Sequence, residues 1–182
     1  MGRIVYLDNA TTTALDPEIF EAMKPYLFDW YGAPTHEYGH TFGLKAREAL
    51  EESREVVAKS IGASSEEVIF TSGGTESNNL AIKGVTLTNR DRRHLVASKI
   101  EHTSVLNVVR SLGSMGFRTS YLNVDGEGFV DLEQLKDEVS KETILVSVQH
   151  ANQEIGTIQE ANEIGAICRE KGALFHVDAV QS

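Results

Sequence analysis

Hydrophobic residues recur along this chain with two alternating periods, one helical and one extended. Ile4, Val5, Tyr6 and Leu7 make a short extended run. Asp16-Pro17 is a helix start, because aspartate accepts hydrogen bonds from the first free amides and proline suits the first helical position. Ile19, Met23, Tyr26 and Trp30 then recur at helical spacing, and Pro25, with no N–H to donate, is predicted to kink or end that helix. A loop rich in Gly, His and Tyr occupies residues 32–43. The strongest helical pattern follows: Ala46, Ala49, Leu50, Ser53, Val57, Ser60 and Ile61 share one small or apolar face, closed by Gly62.

From residue 68 the pattern repeats as strand, loop and helix. Val68, Ile69, Phe70 and Thr71 read as a strand leading to a helix that opens near Thr75. Residues 94–98 lead to a helix carrying Val105, Val108, Val109 and Leu112. Residues 119–124 lead through the turn Asp125-Gly126-Glu127-Gly128 to a short helix over 131–139. Residues 144–148 lead to a helix over 160–171, closed by Gly172, and a last strand begins at Ala173 and ends at Asp178. Strands alternating with helices of this length predict an α/β fold: a three-layer α/β/α arrangement around a mostly parallel sheet with right-handed crossovers. The expected organisation is an N-terminal arm over residues 1–15 and one large domain over 16–182, with no internal repeat or linker-like boundary.

Composition narrows the function classes. With 41% hydrophobic and 24% charged residues, the 182-residue chain is ordinary for a soluble globular protein. A formal net charge of -10 argues against nucleic acid or an anionic membrane as the main partner. No apolar stretch has the length of a membrane span, and Asp8 interrupts the N-terminal run too early for a signal peptide, so a cytoplasmic setting is expected. The single cysteine, Cys168, falls on an apolar helix face beside Ile164 and Ile167. It reads as a buried small hydrophobe rather than a reactive nucleophile. No metal site is expected.

In a parallel sheet every strand-to-helix loop opens at the same edge, where open α/β sheets bind ligands. Thr71-Ser72-Gly73-Gly74-Thr75-Glu76 allows close backbone approach at its glycines, and the helix opening at Thr75 offers free amides and its positive dipole end to a phosphate. Ser72 and Thr75 add hydroxyl donors. The stretch is neither a P-loop nor a dinucleotide fingerprint. His102 follows a strand at a helix start, where a neutral imidazole can lie on an aromatic ring and move protons. Asp178 can sit opposite a cationic ring nitrogen, and Gln181 can hydrogen-bond a ring oxygen. Asn152, Gln153 and Glu154 form a polar cluster after the strand 144–148. Each loop alone also fits a plain hydrogen-bonded turn. Together, a phosphate cradle, a stacking His, a strand-end Asp and an amide at one edge point to pyridoxal phosphate.

Over essentially its whole length the chain resembles the class V aminotransferase group of pyridoxal-phosphate enzymes, and within it the cysteine desulfurases of the NifS/IscS type. The resemblance rests on residues 6–13, the Gly32-Ala33-Pro34 turn, residues 70–78, Glu101-His102, residues 152–156 and His176-Val177-Asp178-Ala179-Val180-Gln181-Ser182. It implies the large cofactor domain of the pyridoxal-phosphate transferase fold (fold type I), here incomplete. It implies that Gly74 and Thr75 bind the cofactor phosphate, that His102 stacks on the ring and transfers protons, and that Asp178 pairs with the ring nitrogen. Gln181 and Gln153 would hold the ring oxygen. Gln153 stands where the family has Asn, Ala33 replaces the Asn of a Gly-Asn-Pro turn, Thr11 replaces Ala, and the loop 35–40 is slightly longer than usual.

The resemblance further implies conversion of L-cysteine to L-alanine with enzyme-bound sulfane sulfur, and delivery to a sulfur-acceptor protein, either an iron–sulfur scaffold or a tRNA-thiolation relay. A homodimer is implied as well. The family's covalent lysine, its carboxylate-binding arginine and its sulfur-accepting cysteine are expected beyond Ser182, as are two further strands. Residues 1–182 alone are therefore expected to be the N-terminal part of such an enzyme, inactive and marginally stable. The alternatives are a non-catalytic or split cofactor-binding protein, another class V aminotransferase or lyase, and, remotely, a nucleotide-binding α/β protein.

Overall fold

The computed structural model describes residues 4–35, 39–89 and 91–182. They fall into two compact units, one ending at Phe70 and the other beginning at Thr71.

The first unit is helical. Helix α1 (Pro17–Phe28) is capped as expected, with the Asp16 carboxylate accepting from the Glu18 amide at 2.7 Å. Pro25 does not end it. The helix continues to Phe28, and the amides of Asp29 and Trp30 both bond to the Pro25 carbonyl. One missing N–H is tolerated because α1 buries no residue, so water can reach the carbonyl left without a donor. Helix α2 (Thr41–Ser60) starts earlier than its apolar pattern. The His40 ring accepts from the Gly43 amide at 3.1 Å and caps it, so residues 41–43 are helix rather than loop. Residues 36–38 of that expected loop lie outside the described residues. Gly62, at φ +69, closes α2, as its place after the helix requires. The anticipated α2 face is only partly covered: Val57 and Ile61 are exposed, and the buried positions are Gly43 and Ala58.

The run at 68–71 is not a strand. An apolar extended run becomes one only where a neighbour offers its edge, and none of the described strands does. The Val68 carbonyl instead accepts from the Arg54 guanidinium, and Ile69 and Phe70 remain exposed.

The second unit is the α/β body. After α3 (Gly74–Thr88) come β1 (His94–Ser98), α4 (Thr103–Ser114), β2 (Arg118–Leu122), α5 (Leu132–Glu138), β3 (Thr143–Ser147), α6 (Ala161–Lys171) and β4 (Leu174–His176). All pairings are parallel, in the order β2-β1-β3-β4. β4 is shorter than its apolar run, so Asp178 lies two residues past its end.

Alternation across the sheet makes three layers. Leu95 and Ala97 point to one face and pack with Ile82 of α3 and Val105, Val108, Val109 and Leu112 of α4. Val96 and Val146 point to the other, toward Leu135 of α5 and Ile164 and Cys168 of α6. Burial pushes the Cys168 thiol up to about 11, far from a reactive thiolate. Among the described residues, no helix is long and apolar enough to cross a membrane.

His94 sits at the sheet edge remote from the strand C-termini. Its ring lies 2.9 Å from Thr143 Oγ1, 3.0 Å from Ser120 Oγ and 2.8 Å from the Arg118 guanidinium. Burial, and then the Arg118 charge, push the imidazole down from 6.5 to about 4. The fold therefore favours the neutral ring. That stability is present above pH 6.5 and lost as pH falls toward 4. We expect wild type to lose on the order of 2 kcal/mol more than H94Q over this interval, measured by denaturant unfolding at each pH.

Candidate functional site

The start of α3 and the loops after β1, β3 and β4 meet on one rim of the second unit. The segment before α3 comes first. Gly73 has φ 153 and ψ 179, a region open essentially only to glycine. Gly74 is needed for proximity: a Cβ there would lie 2.5 Å from Val180 Cγ2, so the start of α3 rests against the turn after β4. The first intrahelical bond of α3 runs from the Ser77 amide to the Gly73 carbonyl at 3.1 Å. The amides of Gly74, Thr75 and Glu76 thus have no acceptor within the helix, and they carry the positive end of its dipole.

Ser72 does not offer the donors the sequence suggests. Its amide and hydroxyl both donate to the Glu76 carboxylate at 2.6 Å, and these bonds, hydroxyl first, hold that carboxyl below its usual range. The side chain four residues away competes successfully for them. Thr75 is exposed at the rim.

Asp178 is 3% exposed. Its Oδ2 accepts from Asn78 Nδ2 at 2.9 Å and its Oδ1 from the Val180 amide at 3.1 Å. Asn78 Nδ2 also donates to Ser104 Oγ at 2.9 Å. Ser104 Oγ lies 2.7 Å from His102 Nδ1, which accepts from the Ser104 amide at 3.2 Å. One unbroken run thus joins Asp178 after β4, Asn78 of α3, Ser104 of α4 and the exposed His102 that caps α4. Gln181 is exposed in the turn following Asp178, where the Ser182 amide bonds to the Ala179 carbonyl.

Behind His102 lies Glu101, 5% exposed. Its Oε1 accepts from Ser98 Oγ at 2.5 Å and from the Gln149 amide at 2.8 Å; Ser147 Oγ reaches its Oε2 at 3.2 Å. Burial is the largest influence and pushes this carboxyl up to about 7, helped by Asp178 and opposed by those three donors. Ser147 Oγ also lies 2.8 Å from Nδ1 of His176, whose imidazole burial pushes down. Gln153 is partly buried, and its carbonyl accepts from Gln149 Nε2 at 2.7 Å. Its amide NH2 takes no hydrogen bond among the described residues. Asn152 is structural: its carbonyl accepts from the amides of Glu154 and Ile155, and its NH2 donates to Ile100 O and Gln149 Oε1.

Gly74, Thr75, His102, Asp178 and Gln181 therefore share one rim, with Gln153 tied to it through Gln149 and Glu101. The sequence reading missed Asn78, Ser104 and the buried role of Glu101. A signal existed for Asn78, which stands four residues before the buried Ile82 on the inner face of α3. A polar side chain on an apolar stripe requires a partner. Among the described residues no cluster of His, Cys, Asp or Glu could hold a metal ion.

Comparison with known proteins places the chain in a family. The family model for Aminotransferase class-V matches residues 5–182. Cysteine desulfurase IscS of Dictyoglomus turgidum is 51% identical across all of this chain, which covers 46% of that protein. The mitochondrial cysteine desulfurase of Drosophila melanogaster is 45% identical over all of this chain and 39% of its own length. The chain thus spans a little under half the length of the curated relatives it matches. Among solved structures, a NifS-like protein superposes with a TM-score of 0.93 at 40% identity, covering 98% of this chain and 49% of the other. A structure described as SspA in complex with cysteine gives 0.92 at 37% identity, covering 97% of this chain and 51% of the other. With the α/β body, the glycine-walled helix start and the buried strand-end aspartate in place, the match over residues 5–182 shows that this chain belongs to the class V aminotransferase family.

Proposed function

We propose that this chain forms the pyridoxal-phosphate-binding part of a cysteine desulfurase. The observation that carries the reading is the hydrogen-bonded run from Asp178 through Asn78 and Ser104 to His102, set beside the glycine-walled start of α3. The residues present suit the cofactor. Gly74 lets the start of α3 lie against Val180, which a Cβ would push away, and the amides of Gly74 and Thr75, with the Thr75 hydroxyl, would hold the phosphate. Asp178, accepting two N–H bonds and buried, would face the ring nitrogen, while Gln153 and Gln181 would donate to the ring oxygen. His102 would lie against the ring.

Pyridoxal phosphate, when bound, supplies an electron sink for bonds broken at the amino-acid α-carbon and its neighbour. This chain's own residues orient and solvate. Asp178 would face a ring cation, the start of α3 would meet the phosphate charge, and His102 would exchange a proton with substrate. The substrate is L-cysteine, a choice supported by the relatives' names and the cysteine complex of SspA. L-cysteine and a cysteine thiolate of the enzyme yield L-alanine and an enzyme-bound persulfide, whose outer sulfur then passes to the acceptor protein. The same reading carries a homodimer, a sulfur-acceptor protein and a cytoplasmic setting. On residues 1–182 alone it expects cofactor binding without cysteine turnover.

The test uses ligands with no aldehyde to react with surface lysines. In equilibrium dialysis, pyridoxine 5′-phosphate is expected to bind about tenfold to a hundredfold tighter than pyridoxine, as charge-assisted hydrogen bonds to a phosphate require. G74V, which crowds Val180 and the helix amides, removes that preference. Equal binding of the two ligands to wild type refutes the assignment.

A further inference from the structure

We propose that Ser104 is a positioning residue that fixes His102 as the tautomer protonated on Nε2 and, through Asn78, links that ring to the Asp178 carboxylate. For what the ring does in catalysis this rests on the function proposed above; the proton arrangement itself does not.

The directions of the hydrogen bonds can be worked out from one end. A carboxylate only accepts, so the Asn78 atom 2.9 Å from Asp178 Oδ2 is the NH2. The same nitrogen lies 2.9 Å from Ser104 Oγ, and its second proton goes there. Ser104 Oγ is then an acceptor on that side, with its own proton left to direct elsewhere. The atom 2.7 Å away is His102 Nδ1. Nδ1 already accepts from the Ser104 backbone amide at 3.2 Å, so it presents a lone pair. Each proton now has one place, and the His102 proton falls on Nε2.

Both linking side chains are buried, Ser104 at 8% and Asn78 at 4% exposure, so water does not substitute freely. An alanine at 104 would leave one Asn78 N–H without its acceptor and take one of two donors from Nδ1. Asn78 would then be free to turn, and the Asp178 carboxylate would lose a fixed partner. In the intact run, Nδ1 is occupied and His102 gives or takes a proton at Nε2 alone. Tautomer choice and ring orientation are set by the same bonds that hold Asp178.

The test is a long-range 1H–15N spectrum of histidine-labelled protein without cofactor, which reads each ring nitrogen directly. Wild type is expected to show His102 with a bare, hydrogen-bonded Nδ1 and a protonated Nε2. S104A populates the Nδ1–H tautomer, which moves the averaged Nδ1 resonance upfield and the Nε2 resonance downfield. S104T, which keeps the hydroxyl, restores the wild-type pattern, a recovery that a purely packing role would not give. An S104A spectrum identical to wild type at both nitrogens overturns the proposal. So does a wild type that carries its proton on Nδ1, which needs no variant to fold. Because no ligand is present, the result stands apart from the dialysis experiment: failure of cofactor binding leaves it untouched.

Discussion

Replacing Asp178 by Asn is expected to weaken pyridoxine 5′-phosphate binding about a hundredfold while leaving the protein folded. The carboxylate is buried and meets two neutral donors, the Asn78 amide and the Val180 backbone. No salt bridge among the described residues uses it. A ring cation facing it would therefore be its one full counter-charge. Truncating one partner of a desolvated charge pair costs about 2–5 kcal/mol, and a hundredfold loss corresponds to about 3. The asparagine retains an acceptor for Val180 but sets one NH2 against another at Asn78, for about 1 kcal/mol of stability. Binding should thus fall by more than stability does, which dialysis and denaturant unfolding of the same sample will separate. An analogue lacking the ring nitrogen should bind wild type and D178N equally. Unchanged affinity of D178N for pyridoxine 5′-phosphate would remove Asp178 from the site.

The second large effect lies behind the rim, at Glu101. Its carboxyl is pushed from 4.5 up to about 7, so the fold favours the protonated form. The sign follows from linkage: stability from this group is fully present below pH 4.5 and is lost as pH rises through 7. A shift of this size corresponds to about 3 kcal/mol. E101Q carries a neutral amide at every pH and can be accommodated. Its carbonyl accepts from Ser98 and the Gln149 amide, and its NH2 donates to Ser147, whose own proton turns to His176 Nδ1. The stability of E101Q relative to wild type is expected to rise by about 3 kcal/mol between pH 4.5 and pH 8. The opposite dependence of His94 is common to both proteins and cancels. A difference that stays flat across this range would show that Glu101 is ionised throughout, and the buried carboxyl would need a counter-charge that the described residues do not supply.

Burial first, with a smaller push from the neighbouring Asp178, drives the Glu101 carboxyl at this rim toward its protonated form.

Much of this was legible in the chain. Val105, Val108, Val109 and Leu112 announce α4 because a helix returns to the same face every three or four residues. The apolar triplets Leu95-Val96-Ala97 and Ile144-Leu145-Val146 announce strands covered on both faces, as β1 and β3 are. His102 and Asp178 were legible as neighbours because parallel strands place their following loops at one edge, and Gly74 and Thr75 join them through the contact of α3 with Val180 and Asp178. What failed did so for identifiable reasons. Residues 68–71 have strand chemistry without a pairing edge. The α2 start depends on an imidazole acting as a cap, which no propensity encodes, and Ser72 looked available until the Glu76 carboxylate took its donors.

Sequence by itself determined the layers, the parallel sheet and the rim, because burial and capping are periodic and act within a turn or two of chain. Tertiary structure alone decided that Asn78 would meet Ser104, 26 positions on, and Asp178, 100 positions on. Those partners are chosen by the strand order β2-β1-β3-β4 and by the close approach at Gly74, which bring three remote segments within 3 Å. A hydrogen bond depends on distance and direction in space, and neither is written in the spacing of residues along the chain.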